Sequence, residues 1–351
     1  IKTHYNMTRK MRTKKTSHGK LIGGLLACII IITCCTWFFL FRGLAAKGEK
    51  VFFITSNDNI TNIYNKIEPS CRPIQFAVFK WLVGLSGYEN HIRPGRYAIN
   101  TQGALLTLRN LRNGHQAAVH LTIPSVRKLE DMADIICKKM QFSKKEFLSA
   151  ANDNDFCKSL GYNPQTIIAI FIPNTYDVYW NLSAKEFLGK MKQESDKFWN
   201  DSRKDKAKED KLTPIQISTL ASLVQEETNN IKEKPIIAGI YINRLHINMP
   251  LQSCPTIRYS LNDFTIKRLY ENMLLTDSPY NTYKNRGLPP GPIRNPNPED
   301  IDAVLNYEHH DYLYMCASSN FDGTHHFSKT YEEHKAYSVE YDKELNRRSI
   351  R

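Results

Sequence analysis

TPIQISTLASLVQEETNN, residues 213–230, reads as a buried helix that ends in a pair of acids. Thr213 followed by Pro214 is a helix start: a hydroxyl N-cap, then proline at the first helical position, where its missing N–H costs nothing. At 100° per residue Ile217, Leu220, Ala221, Leu223 and Val224 share one face. Glu227 lies seven residues after Leu220, four after Leu223 and three after Val224, so it points with that apolar face. Gln225 and Glu226 point away from it. A carboxyl on a buried face resists ionisation, and its pKa is expected to rise toward the value a general acid needs near neutral pH. The competing reading places Glu227 on a last turn that opens to solvent.

Downstream, residues 235–245 form the next helix, with Ile237, Ile240, Tyr241 and Leu245 on its core face and the polar Asn243 and Arg244 near its end. Three loop stretches follow: MPLQSCPTIRYSL at 249–261, SPYNTYKNRGLPPGPIRNPNP at 278–298 and GTHHFSKTYEEH at 323–334. Amides and hydroxyls beside aromatic rings suit a saccharide groove; the same composition also describes ordinary rigid loops.

Upstream, residues 201–212 (DSRKDKAKEDKL) are solvated charge, expected as a linker or exposed helix end. Ser183 is expected to cap a helix to about residue 198. Residues 171–180 read as a loop rich in proline and aromatics. Ser143 with Glu146 is a capping-box pair, and residues 125–140 have helical spacing. Residues 50–118 form a small α+β unit. It has a strand at 51–54, helices at 59–67 and 75–85, and a Pro-Gly turn feeding a strand within 91–99. A further helix at 103–114 has Leu105, Leu106, Leu108 and Leu111 on one side. A strand at 120–123 leaves this unit. The expected class is α+β, a small α+β unit followed by a mixed α/β domain.

Residues 21–41, LIGGLLACIIIITCCTWFFLF, carry no charge and suffice as a helix to cross a hydrocarbon core. Lys2, Arg9, Lys10, Arg12, Lys14, Lys15 and Lys20 precede it, so the positive-inside rule puts residues 1–20 in the cytoplasm and residues 42–351 outside. A start at Met7 or Met11 leaves that topology unchanged. A cleaved signal peptide ending near Leu44-Ala45-Ala46 competes, but its apolar core would be unusually long. Of the net charge of +13, seven positive charges lie in residues 1–41, which leaves +6 on the rest: no nucleic-acid signature. Eight cysteines in 351 residues are too sparse for a disulfide scaffold. Those beyond the span (Cys71, Cys137, Cys157, Cys254 and Cys316) contain no CxxC, and their pairing is not legible. GxSxG, GxxxxGK[ST] and HExxH are absent, and the pairs His309-His310 and His325-His326 lack metal-ligand spacing. No metal and no cofactor are expected.

At these motifs the chain resembles the bacterial endolytic murein transglycosylases, the YceG-like (MltG) family, over nearly everything after the span. ASLVQEET is similar to that family's catalytic helix, Ala-Ser, two aliphatics, then Glu-x-Glu. The resemblance places the catalytic Glu on Glu227 and the first Glu on Gln225, a departure. GIYINRLHINMPLQSCPT resembles VFxNRLxxGMxLQxDPT, keeping Asn243, Arg244 and Gln252 but carrying Cys254 where the family has Asp. SPYNTYKNRGLPPGPI matches almost letter for letter, and GTHHFSKTYEEH is similar to GGHxFSKTYEEH, with the family His on His325. HIRPGRYAI resembles the turn of a membrane-proximal LysM-like unit; FIPNTYDVY resembles the FPDTY loop, with Asn174 for Asp.

The resemblance implies four segments: a basic tail (1–20), a transmembrane helix (21–41), a LysM-like unit (47–118) and a transglycosylase domain (119–345). It implies a lyase of the bacterial inner membrane that cleaves the β-1,4 bond between N-acetylmuramic acid and N-acetylglucosamine in nascent peptidoglycan strands. The products carry 1,6-anhydro ends, and strand elongation stops beside membrane-bound synthases. Glu227 is the expected catalytic acid. Asn243, Arg244, Gln252, Tyr280, Asn281 and His325 are the expected substrate-binding residues. Two rivals stay open: a two-carboxylate hydrolase with Asp263 or Asp277 as partner, and a non-catalytic membrane-anchored glycan-binding scaffold.

Overall fold

In a computed structural model the described residues are 15–348, with side chains described from residue 20. The basic residues Lys2, Arg9, Lys10, Arg12 and Lys14 and both candidate start methionines lie outside them. The chain divides into two units: the residues up to Ala118 with Tyr179–Asn181, and Val119–Val178 with Leu182–Arg351.

The first unit begins with α1 (Lys15–Phe41), whose residues Lys20–Phe41 are long and apolar enough to cross a membrane. Then follow β1 (Lys50–Ile54), α2 (Ile60–Ile67), α3 (Pro73–Ser86), β2 (Gly95–Ile99) and α4 (Ala104–Asn113). β1 and β2 pair antiparallel with Phe52 opposite Tyr97. Strand alternation turns Phe52, Ile54, Tyr97 and Ile99 onto one face, against Ile63, Ile67, Phe76, Phe79 and Leu108. α2 starts where the Asn59 side chain accepts from Asn62 N. On α4 the buried side is Ala104, Thr107, Leu108 and Leu111. Leu105 and Leu106 are exposed, which corrects the expected stripe: residues 104, 107, 108 and 111 follow the helical period and 105 and 106 do not.

The second unit contains β3 (Val119–Ile123), α5 (Leu129–Ile136), α6 (Lys144–Asn152), α7 (Asn154–Ser159), β4 (Asn174–Val178), α8 (Ala184–Phe198), α9 (Asp201–Glu209), α10 (Pro214–Glu227) and α11 (Lys234–His246). It continues with α12 (Cys254–Leu261), α13 (Glu271–Leu274), α14 (Pro298–Leu305), β5 (Tyr314–Ala317), β6 (His325–Ser328) and α15 (Tyr331–Arg347). Among the described residues of this unit, strands occur only as antiparallel pairs, β3 with β4 and β5 with β6. The α+β class therefore holds, with small sheets and mostly helical packing. The capping boxes of α6 (Ser143, Glu146) and α8 (Ser183, Glu186) form.

Three local expectations change. Within the expected loop at 171–180, Asn174–Val178 is a strand, because Tyr176 pairs opposite Leu121 and Val178 opposite Val119. The helix expected from residue 125 starts only at Leu129, since Asn295 holds Val126 through both its side chain and its backbone. The charged run is the helix α9, fixed to α14 by a two-pronged Arg203–Asp302 pair at 2.9 Å. Each change comes from a long-range partner that local spacing does not encode.

The centre of this unit is α10. Thr213 and Gln216 close its capping box, and Ile217 through Val224 are buried all round by α11, α12 and α14. Ser222 satisfies its own hydroxyl on Thr219 O and accepts from Ile293 N, so even the polar side of the helix holds a neighbouring segment. α11 runs close to the chain before β5. A Cβ on Gly239 would sit 2.5 Å from Glu308 O.

Candidate active site

α10 ends at Glu227, because Thr228 turns extended at φ −146°. The two acids part as the helical period demands. Glu226 faces two arginines: Arg127 binds it through two bonds at 2.8 and 2.9 Å, and Arg294 through one at 2.6 Å. Gln225 donates to Ser125 Oγ and accepts from Asn297 N. These residues bind the loops at 125–128 and 294–297 to the helix, and the position where the family pattern has its first Glu does structural work here.

Glu227 points the other way, toward α11 and α12. Tyr241 donates to its Oε1 at 2.5 Å and Ser253 at 2.7 Å. Burial pushes the Glu227 carboxyl above its usual range, while these two donors and the His325 ring pull it back. The carbonyl end of α10 adds to the upward push. With both donors on Oε1, a neutral carboxyl holds its proton on Oε2, which has no hydrogen-bond partner among the described residues. Glu227 and His325 line one cavity of about 350 Å³ with Thr228, Asn229, Ser318 and Tyr341. Glu227 is the one carboxylate in that lining.

His325 is set by Glu233, a residue that sequence reasoning missed. Its Nδ1 lies 2.8 Å from Glu233 Oε2, and its backbone N donates to Oε1 at 3.0 Å. Glu233 is nearly fully buried at the start of α11. Tyr241 and Ser253 were also missed as partners of Glu227. Tyr241 carried a signal, a hydroxyl on an otherwise apolar face; Ser253 had none beyond its place beside Gln252.

The remaining predicted residues divide. Asn243 donates to His310 O and Tyr312 O, and Asn281 to Leu274 O and Thr276 O. Arg244 donates to Leu313 O and Leu251 O, both at 2.6 Å. The two amides spend both of their donors on backbone carbonyls, Arg244 commits its Nε and Nη1 chiefly to backbone carbonyls, and none of the three lines the cavity of Glu227. Gln252 is exposed, at φ +50°, and its backbone N donates to Thr282 O. Together with the bond from Ser253 N to Thr282 Oγ1, this unusual conformation carries Ser253 to Glu227. Tyr280 packs against Tyr259, ring centroids 4.8 Å apart, and lines a separate cavity with Arg127 and Lys128. Cys254 contacts Tyr283 Oη through its sulfur at 3.2 Å. Burial pushes this thiol up, so it stays neutral beside the acid's partner Ser253. All eight cysteines are unpaired.

Ser253→Ala and Tyr241→Phe each remove a bond that favours ionised Glu227, so its pKa rises further. The basic limb of the pH–activity profile is expected to move to higher pH in both variants, with activity at the optimum down about ten-fold, one hydrogen bond to a charged group. An unmoved limb would show that Glu227 does not set it.

The sequence model of the YceG-like family matches residues 52–340. A curated relative from Bacillus subtilis (strain 168), named endolytic murein transglycosylase, is 30% identical over 274 residues, 74% of this chain and 74% of that protein. The protein of the same name from Streptococcus pneumoniae serotype 2 is 25% identical over 319 residues, covering 80% of this chain and 56% of that protein. A crystal structure of a YceG-like protein from Listeria monocytogenes superposes with a TM-score of 0.54 at 28% identity, over 83% of this chain and 99% of that one. The match runs through the helix that delivers Glu227, the loop that delivers Ser253 and the strand that delivers His325, and on that extent the chain belongs to the YceG-like family.

Proposed function

We propose that this protein is an endolytic murein lytic transglycosylase with Glu227 as its single acid–base group. One observation carries this reading: the cavity holds one carboxylate, raised toward the neutral form, with its proton-bearing oxygen unpartnered. Glu227 Oε2–H protonates the oxygen between N-acetylmuramic acid and N-acetylglucosamine, and the C1–O bond breaks. The carboxylate then takes the proton from the muramoyl C6 hydroxyl as its oxygen bonds to C1. The proton count closes on Glu227, no water is consumed, and the product is a 1,6-anhydro end. An intramolecular nucleophile makes a second carboxylate unnecessary, whereas hydrolases hold two within about 5–9.5 Å. The hydrolase partners considered from sequence lie elsewhere: Asp263 binds Thr265, and Asp277 is fully exposed near Lys284. His325, oriented by Glu233, is the cavity's binding residue for sugar hydroxyls. Asn243, Arg244, Gln252 and Asn281 shape the site, and Tyr280 lies in the neighbouring cavity.

We further infer that α1 is the membrane anchor with the N-terminus in the cytoplasm. The first unit then serves as the LysM-like membrane-proximal module, and the enzyme acts at the outer face beside membrane-bound synthases.

The test is mass spectrometry of muropeptides released from purified murein in heavy-oxygen water. The expected products are 1,6-anhydromuramic ends without label. Reducing muramic ends that carry the heavy oxygen would replace transglycosylation by hydrolysis. Glycan binding without cleavage would favour the scaffold reading.

A further inference from the structure

α3 is apolar nearly all round, although it belongs to a small water-facing unit. Its inner face buries Phe76, Phe79 and Val83. Its outer face presents Ile74, Ala77, Trp81 and Leu85, at the i, i+3, i+7 and i+11 positions of one stripe, bordered by the half-buried Val78. Ile74 is 55% exposed, Trp81 61% and Leu85 68%. A tryptophan and two large aliphatics in one exposed row mark an interaction surface. At 14 residues, about 21 Å, the helix is too short to span a bilayer and has the length of an interfacial segment.

The place of α3 in the unit says what covers this stripe. The apolar span ends at Phe41, and the chain is already part of the folded unit at Gly43, which bridges to Gly103, and at Leu44, whose N donates to Gln102 O. Arg72, the residue before α3, donates its backbone N to Leu44 O at 2.9 Å and its guanidinium to Gly43 O at 3.0 Å. Leu44 is fully buried, and Ala45 bridges to Cys71. A Cβ on Gly103 would sit 2.2 Å from Leu40 O, so the backbone of α4's N-cap touches the last turn of the span. α3 and α4 both pack against α1. No linker separates span from unit, and an element in contact with the end of a membrane helix lies at the depth of the interface. α3 carries no acid, and its one cation, Lys80, sits over the Phe76 ring with an aliphatic stem long enough to reach headgroups.

We propose that the outer stripe of α3 lies in the outer leaflet of the bilayer that α1 spans, as a second, interfacial membrane contact. The contact fixes the orientation of the first unit on the membrane, which a single spanning helix alone would leave free to rotate. It rests on the anchor reading of α1 and adds a lipid-facing surface that α1 does not supply.

The experiment uses the full chain in nanodiscs made with or without dibrominated acyl chains. The fluorescence that wild type has and Trp81→Phe lacks reports Trp81; the difference from Trp37→Phe reports the span. Brominated lipid is expected to quench both signals, Trp81 by about two-fold or more, since an interfacial helix sits about 5–10 Å into the headgroup and acyl boundary. Quenching of Trp37 with Trp81 open to aqueous acrylamide would overturn the α3 contact and leave the anchor standing. Quenching of neither by bromine would overturn the anchor and the contact together. A Trp81 shielded from both bromine and acrylamide would mean that protein, a second copy or a partner, covers the stripe, and would overturn the lipid assignment.

Discussion

Glu227→Gln is expected to lower murein cleavage by about 10²–10⁴-fold, the contribution of a positioned general acid, while leaving the protein folded. The amide keeps the shape of the side chain, and its carbonyl can still accept the bonds that Tyr241 and Ser253 make to Oε1. What disappears is the proton on the other oxygen. The stability readout has a definite sign. Burial raises the folded-state pKa of Glu227 above its unfolded value, so the native state holds the proton longer than the unfolded chain does. This carboxyl therefore costs stability as pH rises above the unfolded pKa of about 4.3, and the cost stops growing once pH passes the raised folded value. Glutamine has no such cost. The Tm of Glu227→Gln at neutral pH should equal or exceed that of wild type, and the gap should close in acid. A variant that melts earlier at neutral pH would put its lost activity down to folding; one that cleaves normally would remove Glu227 from the chemistry. Glu226→Gln is the contrasting case. It should retain most activity and lose Tm, because Arg127 and Arg294 lose the charge they share.

Arg244→Ala is expected to cost about 3–5 kcal/mol of stability. Two charge-assisted bonds, each worth about 1.5–3 kcal/mol, hold the carbonyls of Leu251, in a buried setting, and Leu313, in a half-buried one. In a unit of this size that is a Tm drop on the order of 10 °C, measured by thermal unfolding of the purified protein. Arg244→Lys should fall between, since an ammonium supplies charge without the planar fork. The same substitution separates two roles for this residue. A sugar-binding arginine would raise KM and leave Tm alone. A positioning arginine lowers Tm first and moves the 250–253 segment that carries Ser253 to Glu227.

The extent to which the site was legible follows from the range of each interaction. Helix starts depend on side chains three residues apart, so Thr213, Ser143 and Ser183 announced their helices and all three caps form. The face of Glu227 follows from period alone, and the structure turns its carboxyl toward Tyr241 and Ser253, half-buried at the wall of the cavity. The strand at 174–178 was hidden because its partner lies some 55 residues earlier in the chain. Glu233 was hidden for the same reason: it is a plain acid in a polar stretch until β6 brings His325 to it.

The apolar span, the α+β class, the capped helix starts at Thr213, Ser143 and Ser183 and the side of α10 on which Glu227 lies could all be read from the chain alone, because each is a matter of composition or of spacing within a turn or two. Only the tertiary structure decided which polar side chains face the cavity and which are spent on loops. Asn243, Arg244 and Asn281 have the same donors as sugar-binding residues, and nothing local tells a donor that meets a ligand from one that meets a backbone carbonyl. That choice is made when loops far apart in the chain are packed together. Their buried carbonyls must then be satisfied, and the nearest amides and guanidinium groups are committed to them.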